Sequence, residues 1–298
     1  MLLSEIGEFG LIERFKKLIK LDSTVIKGTG DDCAVLKFDK NSYQLFTCDM
    51  LIEGVDFLHK ENPYLVGRKS LAVSISDIAA CAGIPRYCLV ALGLPKQTPV
   101  EFVDKLLKGM LDLARAYKIN LVGGDLSRAD KLIVDVSMLG IVEKKNLVLR
   151  SNAQTGDIIF VTGSLGGSIF GKHLKFTPRA KEARSLVKNF KPNAMIDISD
   201  GLVADLGHIL RESKKGAIIY EELIPFSKEA RSLNDALYMG EDFELLFTLS
   251  RRQAKNLILS KRKIFKPIGE IVERKYALTL VDKKDREIKI GPKGFRHF

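Results

Sequence analysis

Gly28-Thr29-Gly30-Asp31-Asp32-Cys33-Ala34-Val35-Leu36 is the stretch around which the rest of this chain arranges itself. Two glycines give the backbone freedom, two adjacent carboxylates follow, and an apolar run then begins. Neighbouring side chains on an extended segment point to opposite faces. One of Asp31 and Asp32 can therefore face a given site, while the other must find its own partner. An Asp pair beside an apolar run points to a cation. The same pattern, Asp at the end of an apolar run, recurs along the chain and strengthens that reading.

Its 298 residues suffice for one large domain or two ordinary ones. Hydrophobic residues make up 46% and charged residues 29%, the balance of a soluble globular protein. No apolar run reaches the roughly 18 residues that span a bilayer, and the N-terminus lacks a signal-peptide layout. The expected location is cytoplasmic, with no membrane partner. Cys33, Cys48, Cys81 and Cys88 form no Cys-x-x-Cys pair and sit among apolar neighbours, which predicts buried thiols rather than zinc ligands or disulfides. The net charge of +11 admits nucleic acid or anionic small molecules as partners. Lys and Arg are spread out and interleaved with acids, however, and no zinc finger, basic arm or aromatic RNA-binding motif occurs, so a basic solvated surface is expected.

Apolar spacing predicts a helix over 3–21, strands at 33–38 and 43–48, an extended run at 51–58, and a helix over 63–82 opened by Pro63. A strand at 86–94, a helix over 99–117, a strand at 119–122 entering Gly123-Gly124-Asp125, and a strand at 132–142 complete the first half. The second half restarts near Asp157 with a strand, helices over 165–173 and 179–189, a strand at 194–198 and a helix over 201–213. Strands at 216–221 and 244–249, a helix over 251–260 and strands after 264 follow. Two α/β domains, 1–147 and 148–298, are the natural division.

Asp77 is the sharpest single residue, because the helix around it leaves little polar face. A buried ionised carboxylate costs on the order of several kcal/mol unless paired or metal-bound, and Arg68 and Lys69 lie too far along the helix to pair with it locally. Asp49 and Asp125 end strands, where α/β proteins gather ligand-binding groups, although an Asx turn or helix cap would also explain either one. In Asp197-Ile198-Ser199-Asp200-Gly201-Leu202, capping by Ser199 or Asp200 explains one residue and leaves Asp197 over. Carboxylates in this number suit magnesium, which binds through carboxylates, water and substrate phosphates. Gly166 to Lys172 has Walker-A spacing after a strand, but His173 stands where the magnesium-holding hydroxyl belongs. The four histidines show no metal-ligand spacing. In Gly240-Glu241-Asp242-Phe243-Glu244, Glu244 can alternate outward, and Glu241 and Asp242 can face a cation or cap a turn.

Gly30-Asp31-Asp32, Thr47-Cys48-Asp49, Ser76-Asp77-Ile78-Ala79-Ala80, Gly123-Gly124-Asp125, Ser199-Asp200-Gly201-Leu202 and Gly240-Glu241-Asp242-Phe243-Glu244-Leu245 together resemble the thiamine-monophosphate kinase family. The likeness runs from Gly7-Glu8-Phe9 to Gly294-Phe295-Arg296-His297-Phe298. Its first elements are shared with the wider superfamily of aminoimidazole ribonucleotide and selenophosphate synthetases. The resemblance implies a two-domain PurM-like α/β (α+β) fold, a homodimer formed through the N-terminal sheet, ATP in a cleft of that domain, and a C-terminal α/β domain closing over it.

By the same resemblance, Asp32, Thr47, Asp49, Asp77, Asp125 and Asp197 would hold magnesium around the ATP phosphates, and Asp200 a further ion. Gly124, Asp125, Arg150 and Ser199 would contact ATP, while Asp56, Glu241 and Phe295 would face thiamine monophosphate. Asp31 is expected to brace the loop. Cys48 stands where the family commonly has a hydroxyl residue, and Asp56 where relatives can carry His. The implied reaction is γ-phosphate transfer from ATP to thiamine monophosphate, giving thiamine diphosphate. The acceptor phosphate is already ionised near neutral pH, so no general base is required. The alternatives are another ATP-using synthetase of the superfamily, for which Cys33 would be the only reactive cysteine near the N-terminus, and a basic nucleic-acid-binding protein.

Overall fold

A computed structural model describes residues 2–291 and 293–295. The amphipathic N-terminus forms α1 (Leu3–Leu18), kinked at Gly7 where the backbone turns left-handed. The opening Gly/Asp loop lies between β1 (Val25–Lys27) and β2 (Ala34–Lys37), and β3 (Ser42–Ile52) follows. Next come α2 (Pro63–Ala80), β4 (Ile84–Leu94), α3 (Val100–Tyr117), β5 (Asn120–Arg128) and β6 (Ile133–Glu143). The six strands form one sheet in the order β1-β2-β3-β6-β4-β5, antiparallel except for β4 and β5. Its backbone is the β3–β6 ladder, unbroken from Ser42 opposite Glu143 to Ile52 opposite Ile133.

The second half contains β7 (Ile158–Thr162), α4 (Ala180–Asn189), β8 (Ala194–Asp197), α5 (Leu202–Ser213), β9 (Lys215–Tyr220) and α6 (Leu233–Tyr238). It ends with β10 (Leu245–Leu249), α7 (Arg251–Leu259), β11 (Phe265–Glu273), β12 (Leu278–Val281) and β13 (Glu287–Lys289). Seven strands pair in the order β13-β12-β9-β11-β7-β10-β8, with only β9 and β12 parallel. The result is the mixed α/β architecture with two sheets that the sequence predicts.

α2 is the element both halves share. Asn62 caps it by accepting the Tyr64 N–H, and Pro63 occupies its first turn, where a missing N–H costs nothing. One apolar core runs from the first sheet through α2 and α3 to α4 and to Phe160, Met195, Leu245 and Phe247 of the second sheet. A second core lies on the opposite face of that sheet, under Leu202, Leu206 and Ile209 of α5. Residues alternating along β10 therefore face different cores, which is why the whole strand is buried and apolar but for Thr248. Arg184 of α4 adds a polar tie, reaching Glu143 at 2.6 and 2.8 Å.

Three expectations are corrected. Residues 165–173 are not a helix: Gly166, Gly167 and Gly171 take positive φ, leaving only a short 3-10 turn at Ser168–Phe170. The extended run at 51–58 stops at Ile52, where a turn forms through Gly54 and the Asp56 carboxylate accepts the Ile52 N–H at 2.7 Å. Cys48 is exposed on the outer face of the first sheet, whereas Cys33, Cys81 and Cys88 are buried as predicted. The strand predicted at 119–122 also continues to Arg128 along an exposed edge. Of the terminal motif, Arg296, His297 and Phe298 lie outside the described residues.

Helices α2 and α3 touch at backbone distance through a reciprocal glycine pair. A β-carbon on Gly67 would sit 1.9 Å from the Leu106 carbonyl oxygen, and one on Gly109 would sit 1.9 Å from that of Tyr64. Either Gly→Ala change should force the helices apart and cost about 1–3 kcal/mol, as overpacking typically does. A lowered melting temperature in both variants is the expected result; unchanged melting would show that the crossing adjusts freely.

Candidate active site

Four carboxylates from four chain segments converge beside the C-terminal part of α2. Asp32 comes from the Gly/Asp loop, Asp49 from β3, Asp77 from α2 itself and Asp197 from the end of β8. Carboxylate oxygens of Asp32, Asp77 and Asp197 all lie within 4.8 Å of one another. Each of three hydroxyls holds one member: Ser74 donates to Asp49 at 2.6 Å, Ser76 to Asp197 at 2.6 Å, and Thr47 to Asp77. Ser74 and Ser76 belong to α2, so one helix carries one acid and orients two others.

Burial is the main reason Asp49, Asp77 and Asp197 resist ionisation, and repulsion from neighbouring Asp residues adds to it. The Asp49 carboxyl is pushed up to about 6 and that of Asp197 to about 8, each by burial and then by neighbouring Asp residues. Asp77 is driven well above the usual carboxylate range by burial and then by Asp49, Asp197 and Asp32. Asp32 has a different partner, because Arg150 reaches it through two guanidinium nitrogens, at 2.7 and 3.3 Å. The Arg150 backbone N–H points to Asp31 at 3.2 Å, so Asp31 ties the loop to the connection between the halves. That is the bracing role expected of it.

Asp200 follows this cluster on the next turn of chain. Neither Ser199 nor Asp200 caps α5; instead Asp205, buried in its first turn, accepts the N–H groups of Asp200 and Gly201 at 3.1 and 3.0 Å. Carboxylate oxygens of Asp200 and Asp205 and a ring nitrogen of His208 meet within 4.8 Å. Burial, then Arg150 and Arg211, lowers His208 to about 3, so it is neutral near neutral pH. Asp125 is placed apart from the cluster, on exposed β5, level with Asp135 of β6 through Ala91 of β4. The preceding Gly124 has a physical requirement: a β-carbon there would lie 1.7 Å from the Val90 carbonyl oxygen.

A cavity of about 520 Å³ adjoins the cluster at Asp49 and is lined by Asp200, Tyr238 and Phe295, whose N–H donates to the Asp200 carbonyl at 3.0 Å. Asp56, Ser199, Glu241 and Phe295, all singled out from sequence, line it. Glu241 takes a left-handed φ of 70°, and its backbone is pinned by its N–H to the Ser199 carbonyl at 2.7 Å. The loop that carries it is thereby bonded to the segment following Asp197.

Lys69 and His173 also line the cavity, and sequence reasoning missed both. Lys69 is only 1% exposed and donates to the Asp56 carbonyl at 2.7 Å, to His173 Nδ1 at 3.3 Å and to Glu241 Oε2. A lysine amid the apolar residues of α2 was the available signal. Glu244 is corrected: it is buried, held by Arg179 through two bonds of 2.6 Å, by Lys172 at 3.1 Å and by Thr162 at 2.6 Å. Lys172 thus serves Glu244, and the Walker-like stretch is a structural loop in which Asp242 accepts from Ser168 and from the Gly166 N–H.

Residues 30–142 match the family described as AIR synthase related protein, N-terminal domain, and residues 154–281 match its C-terminal domain. A thiamine-monophosphate kinase of Buchnera aphidicola is 38% identical, with 99% of each chain covered. That of Aquifex aeolicus is 35% identical over 100% of both. Among solved structures, AaThiL complexed with AMPPCP and TMP superposes with a TM-score of 0.87 at 31% identity, covering 100% of this chain and 99% of that one.

The raised carboxyls retain protons in the folded state that unfolded Asp, titrating near about 4, has lost. Folded protein then binds more protons than unfolded, so their contribution falls as pH rises from about 4 through about 8. In chelator-treated protein, melting temperature should drop across that window, and Asp197→Asn should reduce the drop. An Asp197→Asn profile with the wild-type slope would refute this origin.

Proposed function

The chain belongs to the thiamine-monophosphate kinases of the AIR synthase-related family, and we propose how its cavity and carboxylate cluster bring about the ATP-dependent phosphorylation of thiamine monophosphate. The single observation behind this proposal is a cavity lined by acids and aromatic rings that adjoins a hydroxyl-held carboxylate cluster at Asp49. Phe295 offers a face for the cationic thiazolium ring, with Asp56 and Glu241 as the matching acids. The substrate's phosphate then falls toward Asp49 and Asp200. Residues 1–147 supply Asp32, Asp49 and Asp77 of the cluster and the Asp56 wall, and 148–298 add Asp197 and close the cavity with the Glu241 loop and Phe295.

The donor set fits magnesium: the ligand atoms that meet at Asp32, Asp77 and Asp197 are all carboxylate oxygens, hard donors suited to that ion. Asp32, Thr47, Asp49, Asp77, Asp125 and Asp197 are proposed to hold magnesium with the ATP phosphates, and Asp200 a further ion. Bound there, magnesium supplies the positive charge that offsets repulsion between two polyanions. Gly124, Asp125, Arg150 and Ser199 are the proposed ATP contacts. Arg150 already sits at the cluster's edge, with a guanidinium fork suited to phosphate oxygens. The acceptor is a phosphate monoester with a second pKa near about 6, so its oxygen attacks the γ-phosphorus in line without a side chain to remove a proton. The protein's own task is orientation, carried by Thr47, Ser74 and Ser76 on the carboxylates.

The outer face of the first sheet supports a homodimer. Phe46, Met50, Tyr87 and Leu89 on that sheet remain 43–55% exposed, and Leu126 on the adjoining edge strand is 72% exposed. Phe46 and Tyr87 share Leu139 as their cross-strand neighbour, which makes a continuous apolar patch that a second copy of the same sheet would cover. The enzyme is proposed to work in the cytoplasm: no helix among the described residues is long and apolar enough to cross a membrane. Nucleic acid has no part in the proposal. A selenophosphate-type reaction is disfavoured because burial pushes the Cys33 thiol well above its usual range.

Incubation with magnesium-ATP and thiamine monophosphate should yield thiamine diphosphate, with free thiamine unreactive. Asp77→Asn should reduce turnover by at least about a hundredfold while leaving the circular-dichroism spectrum intact. Near-wild-type turnover in that variant would sink the metal assignment. Phe46→Asp combined with Leu89→Asp should convert a dimer to a monomer in light scattering; a wild-type monomer would remove the dimer from the proposal.

A further inference from the structure

Lys69 is among the most buried side chains of the molecule, and its charge sits at a cavity wall rather than at the carboxylate cluster. An ammonium has three N–H donors, and all three are used here: on the Asp56 carbonyl at 2.7 Å, on His173 Nδ1 at 3.3 Å and on Glu241 Oε2. With none left over, Lys69 is unsuited to bind a phosphate or to exchange a proton during the reaction. Its partners come from opposite halves. Asp56 belongs to the turn after β3, while His173 and Glu241 belong to loops of the second half.

We propose that Lys69 is a positioning residue for substrate recognition. Its buried ammonium clamps the Asp56 turn to the Glu241 loop, fixing the spacing of the two acids that face the cationic ring, without touching the reacting phosphates. This deepens, and rests on, the thiamine-monophosphate kinase assignment. The geometry shows how the clamp acts. Lys69 and His173 both contact Oε2 of Glu241, which leaves Oε1 for a ligand. Burial works against the charge of Glu241, but the Lys69 ammonium outweighs it through its charge and its hydrogen bond and holds the carboxyl below its usual range. A carboxylate kept ionised in a partly apolar cavity attracts an organic cation strongly. The left-handed backbone at Glu241 and Phe243 also needs outside contacts to persist, and the Lys69 bond is one of them.

The test is a double-mutant cycle on the full-length enzyme with Lys69→Met and Glu241→Gln, reading KM for thiamine monophosphate, KM for magnesium-ATP and kcat, together with calorimetric binding of thiamine monophosphate. Lys69→Met should raise the thiamine-monophosphate KM and Kd about tenfold and leave the ATP KM within about twofold. The double variant should bind no more weakly than the weaker single variant, because Lys69 acts through Glu241. Equal losses in both KM values and kcat, additive effects, or unchanged thiamine-monophosphate binding would each overturn the clamp. If Lys69→Met alone does not fold, the double variant, which removes both charges, is compared with Glu241→Gln: equal Kd supports the clamp, and a further tenfold rise refutes it. A wild-type enzyme that makes no thiamine diphosphate would refute the kinase assignment itself, a failure distinct from that of the clamp.

Discussion

Several carboxylates buried side by side repel one another, and the rest of this structure is arranged around that constraint. Asp32, Asp49, Asp77 and Asp197 meet where water is largely excluded, and burial together with neighbouring negative charge pushes Asp49, Asp77 and Asp197 toward protonation. Such an arrangement opposes folding and persists only when surrounding packing over-determines it. The surrounding packing is α2. It lies between the two sheets, is buried on nearly every face, and is locked to α3 by two glycines at backbone contact. A helix fixed this firmly holds Asp77 in place and offers Ser74 and Ser76 as donors to acids arriving from β3 and β8.

Charge balance between the two ends of the cavity follows from the same helix. Toward the C-terminus of α2 the acids are in excess, which suits a divalent cation accompanied by phosphates. Two turns earlier, Lys69 supplies one positive charge and shares it between the two halves. One rigid element thus carries both the acid-rich cluster and the buried ammonium, and its helical rise separates them. The shared apolar core makes the two halves one packing unit at this point, so a shift in α2 would be felt at both.

The parts of this arrangement that were legible in the sequence are those where a residue contradicts its neighbours. Asp77 within an apolar helix, Asp197 on an apolar strand and the glycines before Asp125 each break a local pattern, and each has a structural cause. What stayed illegible depended on partners remote in sequence. Lys69 and Glu241 are 172 residues apart, and Glu244 faces Arg179 65 residues away, so neither pair has a periodicity to betray it. The Gly166–Lys172 stretch misled for a related reason. Apolar spacing favours a helix there, but left-handed glycines packed against Ala236 and Glu229 prevent one. Asp125 is the reverse case: its motif was plain, yet its strand lies at an exposed sheet edge.

The adjacent pair Asp31 and Asp32 shows how one loop can meet both demands. The loop is not extended here, so against the alternation expected from the sequence their carboxylate oxygens lie within 4.8 Å of one another, and they engage the same residue, Arg150, through different groups: Asp31 takes its backbone N–H and Asp32 its guanidinium. The backbone contact depends only on where the chain passes, so Asp31 can hold the connection between the halves whatever the Arg150 side chain does. The guanidinium contact, at 2.7 and 3.3 Å, joins two largely buried charged side chains at the edge of the cluster. A cation taking over Asp32 would free that fork without loosening the loop. Two neighbouring carboxylates are therefore not redundant, since one fixes the frame through the backbone and the other joins the carboxylate cluster.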